Sequence, residues 1–276
     1  MIRITALMDN RSSENKMLIN EHGLSYLIES TTARLLFDCG GSGHTLDNAH
    51  RLGLSLKDLD GVVLSHSHYD HAAGYRDLVE AGLGSTVLYT GPGFFEKKFA
   101  FDGVRYTDLS AGFDESFLTE HGITREETAG LKKIADGIWL VSGFPRQYDF
   151  ETIPGRFVRQ TAEGFMTDDF GDEQCIVLEQ EDHLVVLVGC SHPGILNMVS
   201  EVRRQFGKPV QAVYGGTHLV EADHDRVEKT LAILRSLGME TCGFSHCSGD
   251  SAEEIACGHT EITTCHLAVG DSIFLC

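Results

Sequence analysis

The stretch Ser65-His66-Ser67-His68-Tyr69-Asp70-His71 puts four metal-ligating side chains within six residues, directly after the apolar run Gly61-Val62-Val63-Leu64. Imidazole nitrogen and carboxylate oxygen suit Zn²⁺, and also Fe or Mn. In an extended chain, residues two apart project to the same side. His66 and His68 can therefore grip one ion together, while Asp70 and His71, in the turn beyond, reach a second. Four such groups at the end of an all-apolar strand do not fit an ordinary polar surface turn. A strand end is also where open sheets place their sites, because side chains there enter a crevice instead of a core.

The rest of the chain reads as the scaffold for that turn. IRITALM (2–8), LSYLIES (24–30) and ARLLFD (33–38) are strand-like, and residues 45–54 are helix-like. GVVLS (61–65) is a continuous apolar strand of the kind buried on both faces. A helix over 72–81 and a strand over 85–90 follow, an order that implies a layered sheet with helical cover. Residues 91–135 then lose periodicity. Phe94, Phe95, Phe99, Phe101, Phe113 and Phe117 are mixed with Gly, Asp and Glu. This segment reads either as an insertion that packs its own aromatics or as a lid over the site, since long irregular segments are often functional. Strands are expected over 133–143, 174–181, 183–189, 209–216, 241–245 and 266–276, with helices over 194–206, 222–238 and 250–258. No low-complexity linker interrupts the chain, so residues 1–276 are expected to form one domain of two similar halves, with the insertion at about 91–135.

The 276 residues are 42% hydrophobic and 23% charged, a globular composition. With 22 Lys and Arg against 41 Asp and Glu, the net charge is −19. So acidic a surface repels phosphate backbones, which argues against a nucleic-acid partner. No apolar stretch approaches the ~20 residues that cross a bilayer. The start, MIRITALMDN, lacks the apolar core and cleavage site of a secretory signal. A cytoplasmic protein without a membrane partner is expected, its eight cysteines (Cys39, Cys175, Cys190, Cys242, Cys247, Cys257, Cys265 and Cys276) reduced. Most of them fill space as small hydrophobes. Cys190 and Cys247 differ, because each lies within two residues of a histidine.

These residues resemble the metallo-β-lactamase superfamily. The match is to its H-x-H-x-D-H signature, here His66-Ser67-His68-Tyr69-Asp70-His71, and to the upstream L-F-D-x-G element, here Leu36-Phe37-Asp38-Cys39-Gly40. Three further segments refine it: Gly189-Cys190-Ser191-His192-Pro193-Gly194-Ile195, Gly215-Gly216-Thr217-His218-Leu219 and His246-Cys247-Ser248-Gly249, each after a buried strand. They are similar to the branch named for dihydropterin–ribofuranosyl-aminobenzene phosphate synthase. The resemblance implies an α/β fold, an αββα four-layer sandwich of two mixed sheets between helical layers. It implies two divalent metal ions, zinc foremost, with iron or manganese as alternatives. His246 fits the last histidine ligand. His192 is assigned to the ion shared with His66 and His68, and Asp70, His71 and His246 to its neighbour. No aspartate stands in the bridging place; Cys190 either bridges as a thiolate or packs. Asp38 is implied to orient the metal loop, and Cys247 is expected to be structural, since neighbouring strand residues face opposite ways. His218 is either a hydrogen-bonded loop residue or a substrate contact, and Gly215-Gly216 would let a ligand approach the backbone closely. His22, His44, His50, His121, His183, His224, His259 and His266 receive no role.

A dimetal centre lowers the pKa of a bound water toward 7 and polarises the electrophile. The expected activity is therefore metal-dependent hydrolysis, with Asp70 orienting the nucleophile and His218 stabilising charge on the leaving oxygen. The branch implies a phosphorylated, pterin-like or nucleotide-like small molecule as substrate, and Arg146, Arg156 and Arg159 are candidates to receive its phosphate. Three alternatives stay open: a pterin-cofactor synthase, an iron redox enzyme, and a non-catalytic metal sensor. The sequence gives no oligomeric state.

Overall fold

A computed structural model describes residues 1–275; Cys276, the last residue of the expected closing strand, lies outside them. The described chain forms two compact units. The first comprises Met1–Thr128, Pro154–Asp172 and the segment from Ala268 onward, and the second Ala129–Ile153 with Glu173–Leu267.

The first unit is built on a seven-stranded sheet, ordered Ser272–Leu275, Ile2–Met8, Ser25–Glu29, Arg34–Phe37, Gly61–Val63, Val87–Thr90, Thr124–Glu127. Pairing is antiparallel as far as Arg34–Phe37 and parallel from there on. Parallel neighbours need covered crossovers, which the helices His44–Arg51 and Gly74–Glu80 supply. Val62, Val63 and Leu64 are fully buried, which accounts for the all-apolar run. A second, antiparallel sheet of four strands belongs to the same unit: Gly164–Thr167, Phe157–Thr161, Lys98–Phe101 and Tyr106–Asp108.

The second unit repeats the plan. Its sheet runs Thr263–His266, Thr241–Phe244, Val210–Gly215, Leu184–Val188, Gln174–Glu179, Ile138–Ser142, Leu131–Ala135. The first four strands are parallel and the rest antiparallel. Helices Ile195–Phe206, His224–Ser236 and Asp250–Cys257 place Leu196, Val199, Leu231 and Ala252 in one core with Val186, Val188 and Val213 of the sheet.

Three expectations change. Residues 133–143 are not one strand: Asp136-Gly137 turns the chain into a hairpin, with Gly137 at φ +70°. Asp-Gly between apolar runs is a strong hairpin signal. The closing stretch 266–276 is also divided. His266 ends a strand of the second unit, a turn from Ala268 to Asp271 follows, and Ser272–Leu275 joins the first sheet. Residues 91–135 are more regular than their aromatic spacing suggests, with strands Lys98–Phe101, Tyr106–Asp108, Thr124–Glu127 and Leu131–Ala135 and helix Glu115–Glu120. Their aromatics divide into two groups. Phe94, Phe95, Phe113 and Phe117 pack in the first unit's core with Tyr75. Phe99 and Phe101 sit on the small sheet with Tyr106 and Phe165.

Candidate metal centre

In the first unit the ligand-type residues occupy the turn that follows Gly61–Val63. Asp38, at the end of the adjacent strand, is fully buried and takes φ +57°, a left-handed conformation that aspartate tolerates better than most residues. From there its carboxylate governs the turn. Oδ1 accepts the Ser65 N–H at 2.7 Å and Oδ2 accepts the Ser65 hydroxyl at 2.8 Å. His71 Nδ1 lies 2.7 Å from Oδ2. A carboxylate can only accept, so His71 carries its proton on Nδ1 and turns the Nε2 lone pair outward. The same logic passes through Ser65. Its proton is committed to Asp38, so its oxygen accepts from His66 Nδ1 at 2.9 Å, and Nε2 of His66 is the unprotonated nitrogen.

The three imidazoles converge. Ring centroids of His66 and His68 are 4.7 Å apart, and those of His66 and His71 4.3 Å. Burial, helped by the nearby His71, His68 and Lys98, holds His66 well below the usual histidine range, so the ring is neutral at pH 7. Neutral imidazole is the form that binds a cation. Asp70 is buried, with Oδ2 3.8 Å from His71 Nε2. His22, given no role from sequence, puts Nε2 3.1 Å from the same oxygen; its position outside any motif left no signal.

Behind the turn, Asp172 Oδ2 accepts the Ser67 N–H at 2.9 Å, fixing the backbone between His66 and His68. The buried Lys98 ammonium binds the other oxygen of Asp172 and lies 3.2 Å from Asp168. Burial opposes its charge, but the two aspartates outweigh that and hold the amine above its ordinary range. The Phe170 and Phe157 rings lie 5.3 and 5.5 Å from His68. None of Lys98, Asp168 or Asp172 belongs to a local motif, and sequence reasoning missed all three.

In the second unit, the parallel strands Leu184–Val188, Val210–Gly215 and Thr241–Phe244 finish on one edge, and each is followed by a ligand segment. Glu173, fully buried, accepts the N–H groups of Ser191 and His192, the latter at 2.9 Å. Ser191 Oγ donates to Gly216 O, and Gly216 N–H donates to Gly189 O, which ties two strand ends together. His192 and His218 are neighbours, ring centroids 4.4 Å apart. Gly215 is required twice over: φ is +128°, and a Cβ would lie 1.9 Å from Val188 O. Glu151 accepts the Leu196 and Asn197 N–H groups at 2.9 Å, filling the N-terminus of helix Ile195–Phe206.

Cys190 and His246 come together, and Cys247 does not face away from them. His246–Ser248 is a 3-10 turn, not a strand, so strand alternation does not apply there. The donor atoms of Cys190, His246 and Cys247 all lie within 4.8 Å of one another. Of the three arginines considered for a phosphate, Arg146 donates to the carbonyls of His192 and Pro193, Arg159 pairs with Glu96 at 2.9 Å, and Arg156 lies over the Phe157 ring.

Backbone strain marks the same places. Among the described residues, the non-glycine positions with positive φ are Asp38, Phe170, Ser191, His218 and His246. Each is a ligand-type residue or adjoins one. Such conformations cost about 1–3 kcal/mol each and persist where the surroundings over-determine them, often at functional sites. Buried imidazoles of fixed tautomer, a buried carboxylate and thiols form a donor set that fits divalent metal.

A sequence profile of the metallo-β-lactamase superfamily matches residues 19–164, just over half of the chain. The chain is 27% identical to a 7,8-dihydropterin-6-methyl-4-(β-D-ribofuranosyl)-aminobenzene-5'-phosphate synthase of Methanocaldococcus jannaschii, over 92% of this chain and 90% of that protein. It is 30% identical to the uncharacterized protein MJ0448 of the same organism, covering 91% and 92%. The crystal structure of Tm1679, described as a metal-dependent hydrolase of the β-lactamase superfamily, superposes with a TM-score of 0.86 at 29% identity, covering 100% of this chain and 99% of that one. Strained strand ends, buried ligand-type side chains and these likenesses agree: the chain belongs to the metallo-β-lactamase superfamily, with its α/β fold and its implied divalent metal.

Proposed function

We propose that the chain is a metal-dependent hydrolase of a phosphorylated small molecule, a phosphoester or a pterin-like or nucleotide-like phosphate. In this reading His66, His68 and His192 hold one divalent ion, zinc foremost, and Asp70, His71 and His246 hold a second, with Cys190 contributing a thiolate. The observation that carries it is the Asp38–Ser65–His66 and Asp38–His71 hydrogen-bond set. It fixes two buried imidazoles as Nδ1–H tautomers with Nε2 ready to ligate.

Bound there, divalent ions would lower the pKa of a water and polarise the substrate's oxygen. The chain's own residues do the rest. Asp38 and Ser65 hold the Nδ1 protons, so the ligand imidazoles do not turn. Asp70 orients the nucleophile by accepting its hydrogen bond, and His218 stabilises charge on the leaving oxygen. The small sheet, with Phe157 beside His68 and a Tyr106–Phe165 stack met edge-on by Phe99, supports a role for the 91–135 insertion in shaping the substrate pocket. A flat heterocycle would stack on such rings.

The pterin-pathway synthase reading remains a second one, favoured by the likeness to the Methanocaldococcus synthase along 92% of the chain. None of the seven described cysteines is in a disulfide, which supports a reducing, cytoplasmic setting. No helix among the described residues is long and apolar enough to cross a membrane.

Hydrolysis of bis-(p-nitrophenyl) phosphate by metal-loaded protein tests the proposal. It should depend on added metal and fall to background in His68→Ala and Asp70→Asn. Unchanged turnover in either variant, with metal content verified, would remove the assignment.

A further inference from the structure

The second unit holds more sulfur at its ligand edge than a mere packing role for cysteine would explain. Cys190 follows strand Leu184–Val188, and His246-Cys247 follow strand Thr241–Phe244. All three are buried, with relative exposures of 3%, 7% and 8%. Two sulfurs and an imidazole nitrogen within 4.8 Å of one another form a compact trio of soft or borderline donors.

The surroundings are shaped to hold that trio. His246 takes φ +49°, which costs free energy in any residue with a Cβ but turns the chain so that consecutive side chains converge. The turn is braced by Ser248, whose hydroxyl accepts the Thr217 N–H at 3.1 Å and donates to Gly215 O at 3.2 Å. A side chain at Gly216 is excluded, because its Cβ would lie 2.5 Å from Cys247 Sγ and 2.4 Å from Gly189 O. The backbone at Gly216 thus yields its space to the Cys247 sulfur. The Cys247 thiol donates to the Cys190 carbonyl at 3.6 Å, which sets it beside the other cysteine; that proton would leave on metal binding.

We infer that Cys190, His246 and Cys247 form a two-thiolate, one-imidazole metal site, with Cys247 a direct ligand, and that this site selects a thiophilic divalent ion. The inference rests on the reading of the chain as a metalloprotein and deepens it by naming the donors at His246. Thiolate and imidazole together favour Zn²⁺, Fe²⁺ or Co²⁺ and disfavour Mg²⁺, Ca²⁺ and Mn²⁺, which prefer oxygen. A bridging carboxylate would have been permissive toward manganese. The cysteines in its stead make the preference narrower.

The test uses full-length protein stripped of metal and titrated with Co²⁺ as the probe, read by near-ultraviolet thiolate-to-cobalt absorption. The wild type should develop the band, Cys247→Ser and Cys190→Ser should each lose about half of it, and the double variant all of it. Mn²⁺ should fail to displace the cobalt, while Zn²⁺ should displace it. An undiminished band in Cys247→Ser overturns the inference. A second measurement needs no variant: X-ray absorption of Zn-loaded wild type should show two sulfur neighbours of one ion at about 2.3 Å, and one sulfur or none overturns it. The two readings fail separately. If His66→Ala abolishes hydrolysis and the thiolate band is absent from the wild type, the hydrolase reading stands and this one falls. If the band is present and no phosphoester is cleaved, the reverse holds.

Discussion

The first unit draws its ligand-type residues from a single turn of six residues, whereas the second gathers them from the ends of three strands. The two sheets share a plan, four parallel strands continued by antiparallel ones. What differs is how the donors are supported. In the first unit one carboxylate, Asp38, governs Ser65, His71 and, through Ser65, His66. In the second, support is distributed: Glu173 holds the Ser191–His192 backbone, Ser248 braces the His246 turn, and Glu151 fills the helix that follows His192. A concentrated design depends on one residue; a distributed one yields piece by piece. The chain passes from the first unit to the second between Asp172 and Glu173. These consecutive carboxylates each hold the backbone of a ligand segment in their own unit.

The largest effect should come from Asp38→Asn. An amide offers an N–H where three donors need an acceptor, so both the His71 and His66 orientations are lost. Metal affinity should fall about 100-fold, at the upper end of the 10–100-fold range for such outer partners, as read by competition with a chelating dye. A loss under threefold would mean that the first turn is not governed by one residue. Glu173→Gln should cost less, about tenfold, because it loosens the His192 backbone and leaves the His246 turn intact. A loss equal to that of Asp38→Asn would erase the contrast between the units.

Gly194→Ala tests the distributed support through stability. Gly194 sits at φ +99°, and a Cβ would lie 2.2 Å from Glu151 Oε2. Unfolding in urea should show a loss of about 1–3 kcal/mol, with little change in metal affinity at the first unit's ligands. The smallest effect concerns Glu151 itself. Burial pushes its carboxyl up to about 7, against the opposing pull of the Leu196 and Asn197 N–H groups. The folded-state value thus exceeds the ordinary one of about 4.3, so the native chain holds an extra proton between the two. The stability this contributes is whole below about pH 4 and is lost as pH rises through 7. Wild-type Tm should therefore fall relative to Glu151→Gln between pH 5 and pH 8. Parallel pH profiles would mean that the carboxyl is already ionised at pH 5.

The same contrast explains what the sequence disclosed. The first turn was legible because its donors are contiguous and follow an apolar strand, so His66, His68, Asp70 and His71 stand out by spacing alone. His192, His218 and His246 are single residues, visible only through short segments that resemble a branch of the family. Lys98, Asp168, Asp172 and Glu173 were not legible, since they act from a distance in sequence and their types also suit any solvated surface. The orientation of Cys247 was not legible for a definite reason. Strand alternation was extended three residues past Phe244, to Cys247, into a turn where His246 adopts positive φ. The small sheet escaped notice because two of its strands, Tyr106–Asp108 and Gly164–Thr167, are exposed throughout and lack a buried face to create a pattern.

That the proposed ligand residues hold two divalent ions is measured most directly by metal content. Full-length protein, loaded with Zn²⁺ and freed of excess, is analysed for zinc and protein in the wild type, His68→Ala and His246→Ala. The wild type should carry two ions per chain and each variant about one. Two ions retained in either variant, or a wild type that never exceeds one, would contradict that assignment.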